Sequence, residues 1–262
     1  MKDTILILES FVDATNSKIR AVNGYSRKLR GHVKRLYDHV LQVADEIPPP
    51  VNLSHESFKT NPLINSLFAK NTDIDRLFKS RLSNVDYLFS QKQVKTQTMY
   101  AILTAFKHEK LTLGVGLQGN ILVRELPQQS VNFASHTLHA TCAKRAELNE
   151  ALKSYIFERV AMDIKHEMAL RITTESHRTG KNTYLAHVTS LANPDVYLSA
   201  VIERLKFPEH LVRIEKVHFK LNKMGIKLVD DDNQYANEFD IHEITWGDNT
   251  RNVLLQIAFN PL

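Results

Sequence analysis

From residue 8 to residue 47, apolar side chains recur at alternating spacings of four and three. Leu8, Val12, Ile19, Val22, Leu29, Val33, Leu36, Val40, Val43 and Ile47 fill ten of twelve seam positions, and Thr15 and Ser26 occupy the other two. A seam sustained over more than four heptads predicts a long, coiled-coil-like N-terminal helix. Gly24 and Gly31 each weaken such a helix by about 1 kcal/mol relative to Ala. Pro48-Pro49-Pro50 ends it, and residues 48–53 are expected to form a stiff, polyproline-like connector.

Shorter periodic runs follow. Ser54 is placed to cap a short helix, and Asn61-Pro62 reads as a cap followed by Pro at the first helical position. Residues 73–89 repeat a helical pattern through Ile74, Leu77, Phe78, Leu82, Val85 and Leu88. The texture then changes. Residues 100–106 read as a strand, 107–110 as a turn, 111–117 as a second strand, 118–120 as a turn, 121–126 as a third strand and 130–133 as a fourth. Residues 144–174 carry a broad apolar stripe, the mark of a central helix. Asn193-Pro194 starts another helix, which stops before Pro208. From residue 211 the period returns to two, and Gly247-Asp248-Asn249 joins the last two strands as a hairpin.

This order of elements predicts an α+β fold with a long N-terminal helix, helical segments and two antiparallel meanders. Three stretches are expected as domains: 1–47 as the amphipathic helix, 48–140 as helices plus a meander, and 141–262 as helices plus the C-terminal meander.

Composition narrows the class without identifying it. The 262 residues are 43% hydrophobic and 24% charged, as in ordinary globular chains, which excludes a mainly disordered or collagen-like protein. No apolar run approaches the roughly 20 residues of a membrane span. The apolar run between Asp3 and Glu9 is shorter than the roughly 7–15 residues a signal peptide needs. Cys142 is the only cysteine, so no intrachain disulfide can form. Together these readings point to the cytoplasm.

Charge is the most informative feature. Lys18, Arg20, Arg27, Lys28, Arg30, Lys34 and Arg35 lie between Thr15 and Tyr37 with no acid among them. The whole chain has 34 basic and 29 acidic side chains, for a net charge of +5. Without those seven the balance is 27 to 29, so the excess base belongs to the first segment. On a helix with this seam at a and d, Arg20, Arg27 and Lys34 fall at b and Lys28 and Arg35 at c, which makes one outward stripe. Residues 229–250 are the opposite, with Asp230, Asp231, Asp232, Glu238, Asp240, Glu243 and Asp248 and no Lys or Arg.

Candidate chemistry is sparse. Gly114-Val115-Gly116-Leu117-Gln118-Gly119 spells a dinucleotide fingerprint, but a β-rich run ended by Pro127 follows it instead of a helix start. It reads as a glycine-rich hairpin. His136, His139 and Cys142 form H-x-x-H-x-x-C and are the candidate metal ligands, lacking an evident fourth. His166-Glu167 is followed by Leu170 where a zincin needs its second His, so Lys165, His166 and Glu167 read as a solvated face. No P-loop and no G-x-S-x-G are present. No cofactor is expected.

The stretches at 61–68, 114–119, 130–133 and 223–228 together resemble an uncharacterised bacterial protein family, over most of the chain. That family has no assigned activity, so the resemblance implies no site and no mechanism. The expectation is therefore a non-catalytic interaction or regulatory protein that meets a protein partner, or a second copy of itself, through its N-terminal helix. The alternatives are nucleic-acid association through the basic stripe and, further off, an enzyme of unrecognised type.

Overall fold

A computed structural model describes residues 2–82, 98–118, 121–178, 193–228 and 236–260. The chain divides into two compact units, each assembled from separated stretches.

The first unit takes in residues 1–46, 150–213 and 245–250. Its N-terminal segment is not one long coiled-coil-like helix. α1 (Lys2–Thr15) ends after 14 residues, a 3-10 turn follows at Ser17–Ala21, and α2 (Tyr25–Asp45) begins only after Gly24. The break has local causes. Thr15 Oγ1 donates back to the Phe11 carbonyl (2.8 Å). Asn16 Oδ1 accepts from the Lys18 N–H (3.0 Å), which caps a new turn in place of continuing the old one. Gly24 sits at φ 68°, a left-handed conformation that costs glycine nothing and ends the connection.

The seam nevertheless survives the break. Leu8, Val12, Ile19, Val22, Leu29 and Val33 are all buried within the chain, as are Leu36, Val40, Val43 and Ile47. Phe157 of α6 (Arg145–Arg178) packs tilted against Phe11 (6.0 Å) and edge-on to Tyr37 (5.7 Å). The inner face of α6 is buried at Leu148, Leu152, Ile156, Val160, Ile164 and Met168, as its broad stripe predicts. A later helix, α7 (Pro194–Arg204), starts on the Asn193 cap (Asp195 N–H to Oδ1, 2.9 Å).

Gly31 lies on the exposed side of α2, and a Cβ built on it meets nothing within 4 Å. Gly31→Ala should therefore raise stability by about 1 kcal/mol, through helix propensity and reduced unfolded-state freedom. The expected readout is a higher denaturant midpoint at unchanged m-value.

The second unit takes in residues 47–149, 214–244 and 251–262. The polyproline connector is more than a spacer. β1 (Val51–Asn52) pairs in parallel with β6 (Arg251–Phe259), Val51 opposite Ile257, and the Leu53 N–H reaches the Ala258 carbonyl (2.8 Å). Three short helices follow: α3 (His55–Thr60), α4 (Pro62–Leu67) and α5 (Asn71–Leu82). Ser54 and Ser57 form a reciprocal capping box, and Asn61 caps α4 through the Leu63 N–H (3.0 Å). Val85 and Leu88, read as the end of the α5 pattern, lie outside the described residues.

The expected meander of four strands is one long hairpin. β2 (Met99–Gln118) and β3 (Ile121–Cys142) pair antiparallel from Tyr100 opposite Cys142 to Gln118 opposite Ile121. Residues 107–110, expected as a turn, run straight through β2, where Lys107 pairs with the buried Glu243 and with Glu109 of the same strand. Three register shifts interrupt the pairing, and β3 places a positive-φ residue at each: Glu125, Ser135 and Ala140.

Nor are there two separate sheets. β4 (Val212–Leu221), β5 (Asn237–Trp246) and β6 form the C-terminal meander, and β6 also pairs with β2. The result is one sheet in the order β3-β2-β6-β5-β4 with β1 beside β6, antiparallel along the main path. α4 and α5 contribute Ile64, Leu67, Ile74 and Phe78 to the same core as Leu255 and Phe259 of β6. No helix among the described residues is long and apolar enough to cross a membrane.

Candidate interaction surface

The apolar face of α2 is turned into the chain, and its opposite face carries the basic residues. Arg27 and Lys34 are seven residues apart, as are Lys28 and Arg35, so each pair lies two turns apart on one side. All seven cations of the sequence stripe are exposed. They are not equivalent.

Arg20 is a clamp within the N-terminal segment. Its Nη2 reaches Glu9 Oε2 and its Nη1 reaches Asp13 Oδ1, both at 2.7 Å, which ties the 3-10 turn back onto α1. The Tyr25 hydroxyl donates to the other Glu9 oxygen at 2.7 Å. Hydrogen bonds from Tyr25 and Arg20 hold the Glu9 carboxyl below its usual range, and the Arg20 bond does the same for Asp13. The same contacts, Asp13 first, raise the Arg20 guanidinium further above neutrality. Hydrogen bonding to Glu9 raises the Tyr25 phenol.

Two other cations have surface partners, Lys28 with Asp195 (3.6 Å) and Lys34 with Asp38 (2.6 Å, one turn on). Exposed pairs of this kind contribute between 0 and roughly 1 kcal/mol and leave the charge available to a competitor. Arg30 Nη2 donates to Ser26 Oγ (3.3 Å). Lys18, Arg27 and Arg35 form no ion pair among the described residues. Burial, and then the charges of Arg35 and Lys206, pushes the half-buried His32 imidazole below its ordinary pKa.

The acidic segment is partly engaged. Asp230, Asp231 and Asp232 lie outside the described residues. Asp240 pairs with Lys216 (2.7 Å) and His218 (2.8 Å), and Glu243 is buried against Lys107. Asp248 Oδ1 accepts from the Thr250 N–H (2.8 Å) in the β5–β6 turn.

The candidate metal ligands lie along the extended strand β3, not on a helix. His136 stacks on Phe68 (4.4 Å) and its Nε2 donates to the Leu67 carbonyl (2.9 Å), while burial lowers its pKa and favours the neutral ring. His139 shares a hydrogen bond with Thr104 Oγ1 (3.0 Å). Cys142 Sγ contacts the Ala140 carbonyl (3.2 Å), and burial pushes the thiol pKa up, away from the reactive thiolate. The structure does not gather the three, and among the described residues no three His, Cys, Asp or Glu side chains are placed to share a metal.

Other chemistry-bearing groups are tied into local pairs. Gly114 and Gly116 lie within β2, without the helix start a pyrophosphate needs, and Gly119 is outside the described residues. Glu167 does not face solvent alone. It joins Arg171 and Arg204, both at 2.7 Å, beside a cleft of about 380 Å³ in the first unit. Asp163 in the same cleft accepts from Arg159 (2.9 Å), and burial pushes its carboxyl up against the pull of that guanidinium. Compared with known proteins, the chain matches no family model, no curated protein and no solved structure.

Proposed function

We propose that this is a non-catalytic interaction or regulatory protein of the cytoplasm, which docks an acidic protein surface through the outer face of α2. The supporting observation is the division of labour across that helix. Its seam is buried within its own chain, while Arg27 and Arg35 stay exposed without an internal counter-ion among the described residues, as does Lys18 on the 3-10 turn that precedes it. The contact surface is therefore the cationic face and not the apolar seam. Charges at such a face chiefly set orientation and association rate.

Magnitudes favour a protein over a nucleic acid. From Arg27 to Arg35 the helix rises only about 12 Å, enough for two or three phosphates. Each phosphate contact contributes a salt-dependence slope of about 0.9, so duplex binding near physiological salt is expected to be weak. Stacking on single strands has little to work with, since the Tyr25 hydroxyl is held by Glu9 and the Tyr37 ring lies against Phe157.

The test compares immobilised poly-L-glutamate with a labelled 30-base-pair duplex, at about 50 and about 150 mM salt. The wild type should retain poly-L-glutamate binding at the higher salt. Changing Arg27, Lys28, Lys34 and Arg35 together to Gln should weaken it about tenfold without altering the melting temperature. Tight, saturable duplex binding at the higher salt, abolished by the same changes, would instead establish nucleic-acid association.

A further inference from the structure

Three stretches far apart in the chain, 61–68, 130–133 and 223–228, meet in the second unit. After β4 the chain turns back at Asn222, and Lys227 bridges to Leu221 while Ile226 bridges to Ser130 of β3. The Val131 N–H donates to the Gly225 carbonyl (2.7 Å) and the Lys227 N–H to the Gln129 carbonyl (2.8 Å). β3 and β4 are the two ends of the sheet, so this segment links its free edges. Gly225 makes the approach feasible. Its φ is 74°, and a Cβ there would lie 2.6 Å from the Val131 carbonyl oxygen. Where the edges join, against α3 and α4, a cleft of about 580 Å³ opens. That volume is in the usual range of small-molecule sites, which favour the mouths of closed sheets.

The lining has one sign of charge and many amides. Lys59 and Lys223 border it, together with Asn61, Asn65, Asn132, Asn222 and Asn237, and among the described lining residues there is no Asp, Glu, His, Cys or Tyr. Such a lining supplies hydrogen-bond donors and positive charge, the groups that hold an anionic ligand.

The amides are held in place. Asn222 Oδ1 accepts from the N–H groups of Met224 (2.9 Å) and Ile226 (3.0 Å), and Asn61 Oδ1 caps α4. Asn237 Nδ2 donates to Asn65 Oδ1 (2.9 Å) and Ser66 Oγ (3.2 Å), and Asn65 Nδ2 donates to the Phe58 carbonyl (2.9 Å). Because the oxygens of Asn61 and Asn222 are engaged by backbone, their NH₂ groups are the ends left for a ligand. These two amides, the exposed amide of Asn132 and the two ammonium groups make the cleft rich in donors.

We infer that this cleft binds a small organic anion, a phosphate or carboxylate carried on a hydroxyl-bearing body. The lysines and the Asn61 and Asn222 amides take the charged group, and the remaining amides and Ser66 take the hydroxyls. This site stands apart from the α2 surface, and neither reading depends on the other.

Isothermal titration of the full-length protein with ribose 5-phosphate, citrate, inorganic phosphate and neutral ribose tests it. Ribose 5-phosphate or citrate should bind saturably at one site, and whichever binds more tightly identifies phosphate or carboxylate as the recognised group. Ribose should bind at least tenfold more weakly. Lys59→Gln and Lys223→Gln change exposed side chains, so the melting temperature should hold while affinity falls about tenfold for each, the usual effect of losing a charge-assisted hydrogen bond. Asn132→Ala, also exposed, should weaken binding with no loss of fold. Absence of binding by all four probes at 10 mM, equal binding of ribose, or affinity unchanged by all three substitutions would overturn the inference.

Discussion

Leu29→Asp is expected to abolish cooperative folding of the first unit. Leu29 is fully buried on the inner face of α2. The substitution removes an aliphatic side chain whose loss alone costs about 2–5 kcal/mol. It also places a carboxylate where burial without a partner costs several kcal/mol more. The sum, about 5 kcal/mol or more, rivals the whole stability of an ordinary domain. Arg27→Asp, two residues away on the outer face, should cost roughly 0.5 kcal/mol or less. Circular dichroism melting combined with light scattering separates this from assembly through the seam. A seam buried between chains would yield a folded monomer of reduced mass when Leu29 is charged. A seam buried within the chain yields loss of the melting transition itself. An unchanged melt and an unchanged mass together would show that Leu29 is not buried at all.

Lys107→Met should destabilise the second unit by about 3–5 kcal/mol, the usual penalty for removing one partner of a buried ion pair. Lys107 Nζ lies 2.5 Å from Glu243 Oε1 and 3.0 Å from Glu109 Oε1, and 5.3 Å from the centre of the Phe219 ring. The Glu243 side chain is only 3% exposed, so without Lys107 its charge is stranded. Burial by itself would lower the Lys107 pKa, but the hydrogen bonds to Glu243 and Glu109 outweigh it and raise the ammonium above the ordinary 10.5. The sign follows from linkage. The folded state holds this proton more tightly, so the contribution is fully present below pH 10.5 and is lost as the pH rises through the higher folded-state value. Lys107→Met combined with Glu243→Met should recover most of the loss, because a well-packed apolar pair often equals or exceeds a buried ion pair. Urea denaturation of the three proteins at neutral pH, and of the wild type as the pH is raised past 10.5, checks these results. A single variant as stable as wild type at neutral pH would remove the pair from any structural role.

What could be read from the chain alone depended on how far each cause reaches. Ser54, Asn61 and Asn193 act as helix caps because a cap needs only a side-chain oxygen and an N–H two or three residues on. The seam from Leu8 to Ile47 marks the inward face correctly, and the opposite basic stripe is outward, because periodicity records which side meets water. Continuity of the helix did not follow from the same pattern. A 3-10 turn held by Asn16 and a left-handed Gly24 keep Ile19 and Val22 facing inward while breaking the ladder. Of the candidate site residues, the stripe was legible but the clamp role of Arg20 was not, since its carboxylate partners Glu9 and Asp13 belong to another turn of structure.

The amide-lined cleft was hidden for the same reason. Asn61 reads locally as a cap and Asn132, Asn222 and Asn237 as strand residues, and only the joining of β3 to the 222–228 segment brings them together. The clearest case is the stretch 107–110. Charged residues between two apolar runs read as a turn, yet they continue a strand whose partner Asn132 lies 24 residues from His108 and whose counter-ion Glu243 is farther still. The sequence by itself determined the inward and outward faces and the caps, because these rest on hydrophobic periodicity and on hydrogen bonds spanning a few residues. Tertiary structure decided that two meanders share one sheet, that the first helix breaks, and that Lys107 meets a buried glutamate, because those outcomes depend on pairing energies between residues the local pattern never brings together.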